Sequence, residues 1–444
     1  MKNAPDTLCM APWTHTYLSP QTERRMCCAS REPAQNFEQY IDTKSGTGTY
    51  IPITLEEHWN GEHMKSVRRR MMRGETLPEC EVCNDKLLNT SVYRSYFNSL
   101  FGHKYLQAVE NTDKEGYTTM EPVSWDYRFS NLCNFKCRMC GDMLSSSWET
   151  EERQHEMINW HNPKNNWMRP EIKNQIELFQ STQIEKEFAQ AVEDHRVEEV
   201  YWVGGEPLMY KEHWKYMQRI IELGDGGKVY ARYNTNLSRT NYRGCDLFSD
   251  ILPRLRDWQI CASIDGTGAI GEYIRTGLNY EEWLENFKRG VSIADARNRR
   301  QMRIDFTLTL PGMFEVVPIF KLADDLNVDI LAKVVFSFSP DIILSPLSLP
   351  RPILEKWIDE LVTTDYTNNR GESNKLYSPM TDVLNQLKNR PTFQEQYGEE
   401  AYRQGLAKGK ARVLQLESIR TQSTTMDEIL SKRPDVYEWW NQIS

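Results

Sequence analysis

Ten cysteines stand in this chain of 444 residues, and their spacing is the first chemistry it offers. Cys133, Cys137 and Cys140 form a C-x3-C-x2-C loop, and Cys80 and Cys83 a C-x2-C pair. Cys9 and the adjacent Cys27 and Cys28 make a third group, while Cys245 and Cys261 stand alone. In a reducing compartment, clustered cysteines read as metal ligands or redox centres rather than as disulfides. Three thiolates on one short loop can hold three irons of a [4Fe–4S] cluster and leave the fourth open to substrate or cofactor. Four-cysteine clusters are coordinatively complete. Zinc is the competing metal, although its loops favour a C-x2-C paired with a second C-x2-C or a His pair.

The elements around that loop are those of an α/β fold. Strands are predicted over 123–130, 198–203, 229–233, 259–264, 303–310 and 330–338. Helices are predicted over 141–156, 211–223, 246–256, 280–296, 316–326 and 351–364. The stretch 157–182 is polar, with scattered Trp and Pro, and reads as an insertion. Six strands, each followed by a helix, demand a parallel sheet with right-handed crossovers. That length suits a partial (β/α)6 TIM-type barrel rather than a complete one. The expected division is a cysteine-rich segment over 1–115 with one helix at 55–74, the barrel over 116–350, and a mostly helical segment over 351–444.

Composition narrows the function. A hydrophobic share of 39%, with 13 Trp, 21 Tyr and 15 Phe, is enough to build cores, so the chain as a whole is not disordered. The 54 basic and 63 acidic side chains give −9, which argues against a general nucleic-acid binder. No run of about 18 uncharged apolar residues offers a membrane span, and the first residues lack a secretory apolar core. A cytoplasmic chain is expected. Lys65, Arg68, Arg69, Arg70 and Arg73 crowd the 55–74 helix as a solvated face or a receiver for an acidic substrate or reductase. Cys261 reads as a buried hydrophobe and Cys245 as structural.

Cys133-Asn-Phe-Lys-Cys137-Arg-Met-Cys140 directly after a strand resembles the radical S-adenosylmethionine (SAM) superfamily, and later motifs agree in order. Gly204-Gly205-Glu206-Pro207 resembles the GGEP motif, which meets the amino group of SAM. Asn234-Thr235-Asn236 lies where the family places polar contacts to the ribose. Ser263-Ile264-Asp265-Gly266 with Arg275 resembles the S-x-D-G…R pattern, whose Ser and Arg receive the methionine carboxylate, a natural task for a guanidinium fork. All four motifs fall just beyond the carboxyl ends of predicted strands, where a barrel builds its active site. Met139 replaces the usual aromatic before the third cysteine and offers adenine a polarizable apolar surface. The resemblance covers about 123–350.

The N-terminal cysteines are similar to an auxiliary-cluster module of the SPASM or Twitch type, here preceding the barrel. Cys9-Met-Ala-Pro12-Trp13, Cys27-Cys28, Trp59-Asn60-Gly61 and Leu77-Pro78-Glu79-Cys80-Glu-Val-Cys83 carry that likeness. The implied ligands of a second [4Fe–4S] cluster are Cys9, Cys27, Cys80 and Cys83, with Cys28 the alternative to Cys27. Thr22 stands where the module has a glycine, and zinc is the competing occupant. The resemblance implies an enzyme that reductively cleaves SAM to a 5′-deoxyadenosyl radical and abstracts hydrogen from a peptide, protein or small metabolite. It also implies a flavodoxin- or ferredoxin-like electron donor. The alternative is a non-catalytic iron–sulfur or zinc scaffold, against which an intact GGEP and Arg275 speak. Two cysteine groups predict that anaerobically purified protein carries about eight irons and eight sulfides. Changing Cys133, Cys137 and Cys140 to Ala is expected to leave about four by iron and sulfide assay; zinc beside only four irons in the native protein would refute the second cluster.

Overall fold

The computed structural model describes residues 4–30, 50–84, 92–335 and 343–444. Among them, one sheet contains eight strands. They are β1 (His15–Leu18), β2 (Arg24–Arg25), β3 (Ser124–Tyr127), β4 (Glu199–Trp202), β5 (Tyr230–Thr235), β6 (Asp257–Ser263), β7 (Met302–Leu308) and β8 (Asp329–Val334). The chain divides into two compact units that exchange segments. One takes in Met1–Cys133, Asp142–Tyr233 and Asn241–Trp258; the other takes in Asn134–Gly141, Asn234–Thr240 and Gln259–Ser444.

In the first unit the strand order is β2-β1-β3-β4-β5. β1, β3, β4 and β5 run parallel with His15, Ser124, Glu199 and Tyr230 in register, and β2 turns back antiparallel on β1. Side chains alternate between the two faces of a strand, and here the faces differ sharply. One carries Trp125, Tyr127 and Trp202, which meet Phe188 of helix Glu185–Glu193 at ring-centre distances of 5.5, 6.4 and 5.9 Å. Helix Lys211–Glu222 buries His213, Trp214, Tyr216, Met217 and Ile220, and Tyr216 joins Phe188 at 5.3 Å.

The other face is polar and satisfied. Glu199 accepts from Arg232 Nε and Tyr96 Oη, both at 2.9 Å, and from Ser124 Oγ. Arg232 lies between the rings of Tyr96 and Tyr201 at 4.0 and 4.1 Å. His15 Nδ1 meets Ser124 Oγ at 2.7 Å, and burial pulls its pKa down to about 3, so the imidazole there is neutral.

The second unit carries β6, β7 and β8, parallel in the order β8-β7-β6. Helix Tyr280–Ile293 buries Trp283, Phe287 and Gly290, and helix Val316–Asp325 buries Val316, Ile319, Phe320 and Ala323. The C-terminal segment is helical, with Arg351–Thr363, Met380–Asn389, Glu399–Ile419 and Pro434–Gln442. There Trp439 Nε1 donates to Tyr402 Oη, which donates to the Ser348 carbonyl. Among the described residues, no helix is long and apolar enough to cross a membrane.

All six expected strands are present, with residues 336–338 of the last outside the described residues. Four expectations are corrected. The sheet gains β1 and β2 from the cysteine-rich segment, too short to register as periodic runs. The single helix at 55–74 is two, Leu55–Trp59 and Glu62–Met72. The chain breaks at Gly61, where a Cβ would stand 2.6 Å from the Glu57 carbonyl oxygen. The polar insertion at 157–182 contains helix Pro170–Phe179, which continues through a wider turn, Gln180–Ile184, into helix Glu185–Glu193. Its core stripe is thin, with Ile172, Ile176 and Ile184 buried. The helix expected at 246–256 is two short turns, Leu247–Ile251 and Leu252–Arg254.

A buried ion pair locks this helix to the N-terminal segment. Arg24 Nη2 meets Glu187 Oε2 at 2.6 Å with side chains 0% and 8% exposed, and Glu187 also accepts from Tyr127 Oη and Leu55 N. Glu187→Ala leaves the Arg24 charge buried without its carboxylate. A loss of about 3–5 kcal/mol is expected, read as a lower urea midpoint against the parent chain.

Candidate active site

The cysteine loop has almost no secondary structure of its own, so neighbouring segments hold it. In the first unit, Gly205 packs flat on the peptide before Cys133: a Cβ at 205 would lie 2.3 Å from the Leu132 carbonyl oxygen. Glu206 N donates to that same oxygen at 2.7 Å. Tyr210 Oη ties the two segments, accepting from Gly205 N and donating to the Ser130 carbonyl. Gly204 has φ +131°, a conformation that suits glycine. Glu206 is buried, caps the turn Pro207–Met209 through Leu208 N, and leaves Pro207 buried beside it. Cys133 N donates to Ser146 Oγ at 3.1 Å, at the start of helix Ser146–Gln154. The close approach that Gly205 permits is thus made to the chain's own backbone.

In the second unit, Lys136–Cys137 pairs antiparallel with Arg275–Thr276, placing Arg275 opposite Cys137. Arg275 Nε and Nη2 meet the buried Asp265 carboxylate at 2.7 and 3.1 Å. Arg275 Nη1 reaches Cys137 Sγ at 3.8 Å. Burial pushes the Cys137 thiol up to about 12, with Arg275 opposing and Cys140 and Asp265 adding to the rise. A thiol in this setting becomes a thiolate readily only when a cation is supplied. Cys140 closes a tight turn through its N–H to the Cys137 carbonyl, and Met139 between them is half-buried.

Asn236 is buried and donates to Asn134 Oδ1 at 3.0 Å, bracing the cysteine loop. Asn234 donates instead to Asp305 Oδ2 at 2.8 Å, where Lys333 Nζ at 2.9 Å and Ser263 Oγ at 3.4 Å also converge. Sequence reasoning passed over Asp305 and Lys333. The available signal was a carboxylate inside the run Met302–Leu308, whose Ile304 and Phe306 face the core. It also passed over Arg420, which donates to the Lys136 carbonyl at 3.0 Å, and Arg138, which lies 3.8 Å over the Tyr273 ring.

The N-terminal thiols are gathered in the first unit. Cys9, Cys27 and Cys80 share one buried apolar cluster with Met10, Trp13, Met64 and Met71. Burial raises Cys9 to about 12, and the nearby Cys80 and Cys83 add to it. Burial likewise raises Cys27, which feels Cys9 and Cys83, and raises Cys80 to about 11 with a contribution from Cys83. Burial raises Cys28 to about 11, with Asp126 adding to the rise and Arg128 and Arg232 opposing it. Among the described residues, no three His, Cys, Asp or Glu side chains meet closely enough to grip a single ion. A four-iron cube takes one thiolate per iron and so suits thiols ranged around it. None of the ten cysteines is in a disulfide.

The basic run beside this module is compensated. Lys65 pairs with Glu62, Arg69 with Glu115, Arg70 with Glu79 and Arg73 with Glu75. Arg68 is fully buried, donates to the Pro12 carbonyl and lies 4.8 Å over the Trp59 ring. Cys261 is buried within β6, and Cys245 is part-exposed on the hairpin Asn241–Tyr242/Cys245–Asp246.

Residues 127–312 match the Radical SAM superfamily. These residues form a radical SAM domain. No curated protein matches the chain. Among solved structures it is similar to Streptococcus suis SuiB, at 12% identity over 65% of this chain and 63% of that one, with a TM-score of 0.31. For SuiB bound to S-adenosylmethionine the identity is 13%, the coverage 68% and 64%, and the TM-score 0.31. For SuiB bound to precursor peptide SuiA the values are 13%, 83% and 84%, and 0.33. The chain thus spans about 63% of the first of these, and superpositions this loose carry no argument about substrate.

The radical SAM domain needs a carboxylate receiver, and Arg275, fixed by Asp265, has the fork for it. Arg275→Ala is expected to weaken SAM binding by roughly 1.5–3 kcal/mol, the range for a charge-assisted hydrogen bond. Equilibrium binding to the anaerobically reconstituted protein checks this, and an unchanged affinity means that another residue receives the carboxylate.

Proposed function

We propose that this radical SAM enzyme abstracts hydrogen from a peptide, protein or small-metabolite substrate, assisted by a second [4Fe–4S] cluster in its N-terminal module. The observation that carries the reading is the gathering of Cys9, Cys27 and Cys80 in one buried cluster, with Cys83 half-buried nearby, in a chain whose other cysteine loop belongs to the radical SAM domain. Bound at Cys133, Cys137 and Cys140, a reduced cluster with SAM supplies the one-electron cleavage that yields a 5′-deoxyadenosyl radical.

The chain's residues position and protect. Asp265 orients the Arg275 fork toward a carboxylate, as a buried anion orients a guanidinium it cannot release. Asp305 holds the Asn234 amide and the Ser263 hydroxyl, both assigned to SAM. Gly205 and Glu206 hold the peptide leading to Cys133. In the N-terminal module, burial of the thiols keeps water from any metal they bind, and the apolar wall of Met10, Met64 and Met71 suits a redox centre shielded from solvent. An electron donor of the flavodoxin or ferredoxin type fits the need for one low-potential electron per turnover.

The two cysteine groups have separable roles in this reading. With Cys80 and Cys83 changed to Ala, SAM cleavage without substrate is expected to continue, because the barrel cysteines sit on an independent loop. Substrate turnover is expected to fall sharply. A circular dichroism melt controls for folding, since a metal that binds only the folded module contributes to its stability. A folded variant with a full barrel cluster that makes no 5′-deoxyadenosine would overturn this division.

A further inference from the structure

Beside the N-terminal C-x2-C pair stands a guanidinium that has no carboxylate partner among the described residues. Helix Val92–Phe101 packs on the turn Glu81–Asn84 that follows Cys80 and contains Cys83. From that helix Arg94 Nη2 donates to Asn84 Oδ1 at 2.7 Å, and Asn84 Nδ2 is held in turn by the Leu77 carbonyl at 3.3 Å. Both anchors flank the C-x2-C pair in sequence. The Arg94 charge opposes the rise that burial imposes on both Cys80 and Cys9. Arg94 Nε is buried and has no hydrogen-bond partner among the described residues. The arginines of the neighbouring helix differ: Arg69, Arg70 and Arg73 each face a glutamate.

We propose that Arg94 is an electrostatic partner of the N-terminal metal site, and that it raises the reduction potential of the cluster held there. The inference rests on the reading of Cys9, Cys27, Cys80 and Cys83 as cluster ligands. Four thiolates leave an oxidised [4Fe–4S] centre doubly negative, and one added electron makes it triply negative. Burial among Cys9, Cys27, Cys80 and the methionines disfavours that extra charge and lowers the potential. A fixed cation beside the thiolates opposes this, favouring the reduced state over the oxidised one. The consequence is a cluster able to accept an electron although it is shielded from water. Asn84 acts through Arg94 as its positioning residue, because it accepts from Nη2 and so fixes one edge of the fork.

The test uses the full chain carrying C133A, C137A and C140A, so that only the N-terminal site contributes iron. Dithionite supplies the single electron in a potentiometric titration followed by electron paramagnetic resonance. With Arg94 intact, about four irons and one reversible couple are expected. In this background Arg94→Gln is expected to keep its iron and shift the equilibrium at least tenfold toward the oxidised cluster, which is 59 mV for a one-electron couple. Arg94→Lys, which keeps the charge and loses the fork, falls between the two. Unchanged midpoints in both variants overturn the inference and leave the cluster reading standing. Loss of iron from both variants makes Arg94 a fold element and also overturns it. A chain with Arg94 intact that binds no iron, or binds zinc instead, refutes the cluster reading itself, and the inference falls with it.

Discussion

The loop over 133–140 has little secondary structure of its own, a single two-residue strand, Lys136–Cys137, so hydrogen bonds from distant segments set its course. Within the first unit, Gly205 and Glu206 pin Leu132, and Ser146 holds Cys133. Within the second unit, Arg275, Asn236 and Arg420 hold Cys137, Asn134 and Lys136. The constraint explains why motifs far apart in sequence are also hydrogen-bond partners of the loop. They fasten the cysteine loop whatever else they touch.

Charge compensation is the second theme. Carboxylates meet most of the buried guanidiniums, Arg24 with Glu187, Arg232 with Glu199 and Arg275 with Asp265, Lys333 covers the buried Asp305, and Arg68 is met by the Pro12 carbonyl and Asn60. Isolated charges away from water are too costly to persist, so pairs or hydrogen bonds must accompany them. In the first unit this gives a sheet with one aromatic face and one ionic face, the latter built on His15, Ser124 and Glu199 in register, with Arg232 reaching Glu199 from two residues beyond that row. Burial raises the thiols of Cys9, Cys27 and Cys137 above their ordinary range.

What the sequence disclosed follows from which forces are local. Strand and helix periodicity in 198–364 is set by near neighbours, and β4, β5 and β7 lie within a few residues of their expected bounds. Cys133, Cys137 and Cys140 were legible because ligand spacing on a loop is itself local. β1 was not, since four residues earn strand conformation only by pairing with β3, 109 positions away. Nor did spacing decide between Cys27 and Cys28, adjacent residues at a turn whose surroundings come from distant segments. Asp305 was hidden for the same reason, its meaning supplied by Asn234, Ser263 and Lys333 from three other segments.

The place of β1 in the sheet bears on how the chain is made. His15 pairs with a strand that begins 109 residues later. At about 5–20 residues per second of synthesis, the N-terminal segment leaves the ribosome roughly 5–20 s before its partner exists. During that interval Cys9, Cys27 and Cys28 have none of the later segments that bury them, and the His15–Leu18 strand has no β3 to pair with. The order of synthesis therefore leaves these thiols open to oxidation until β3 closes on β1.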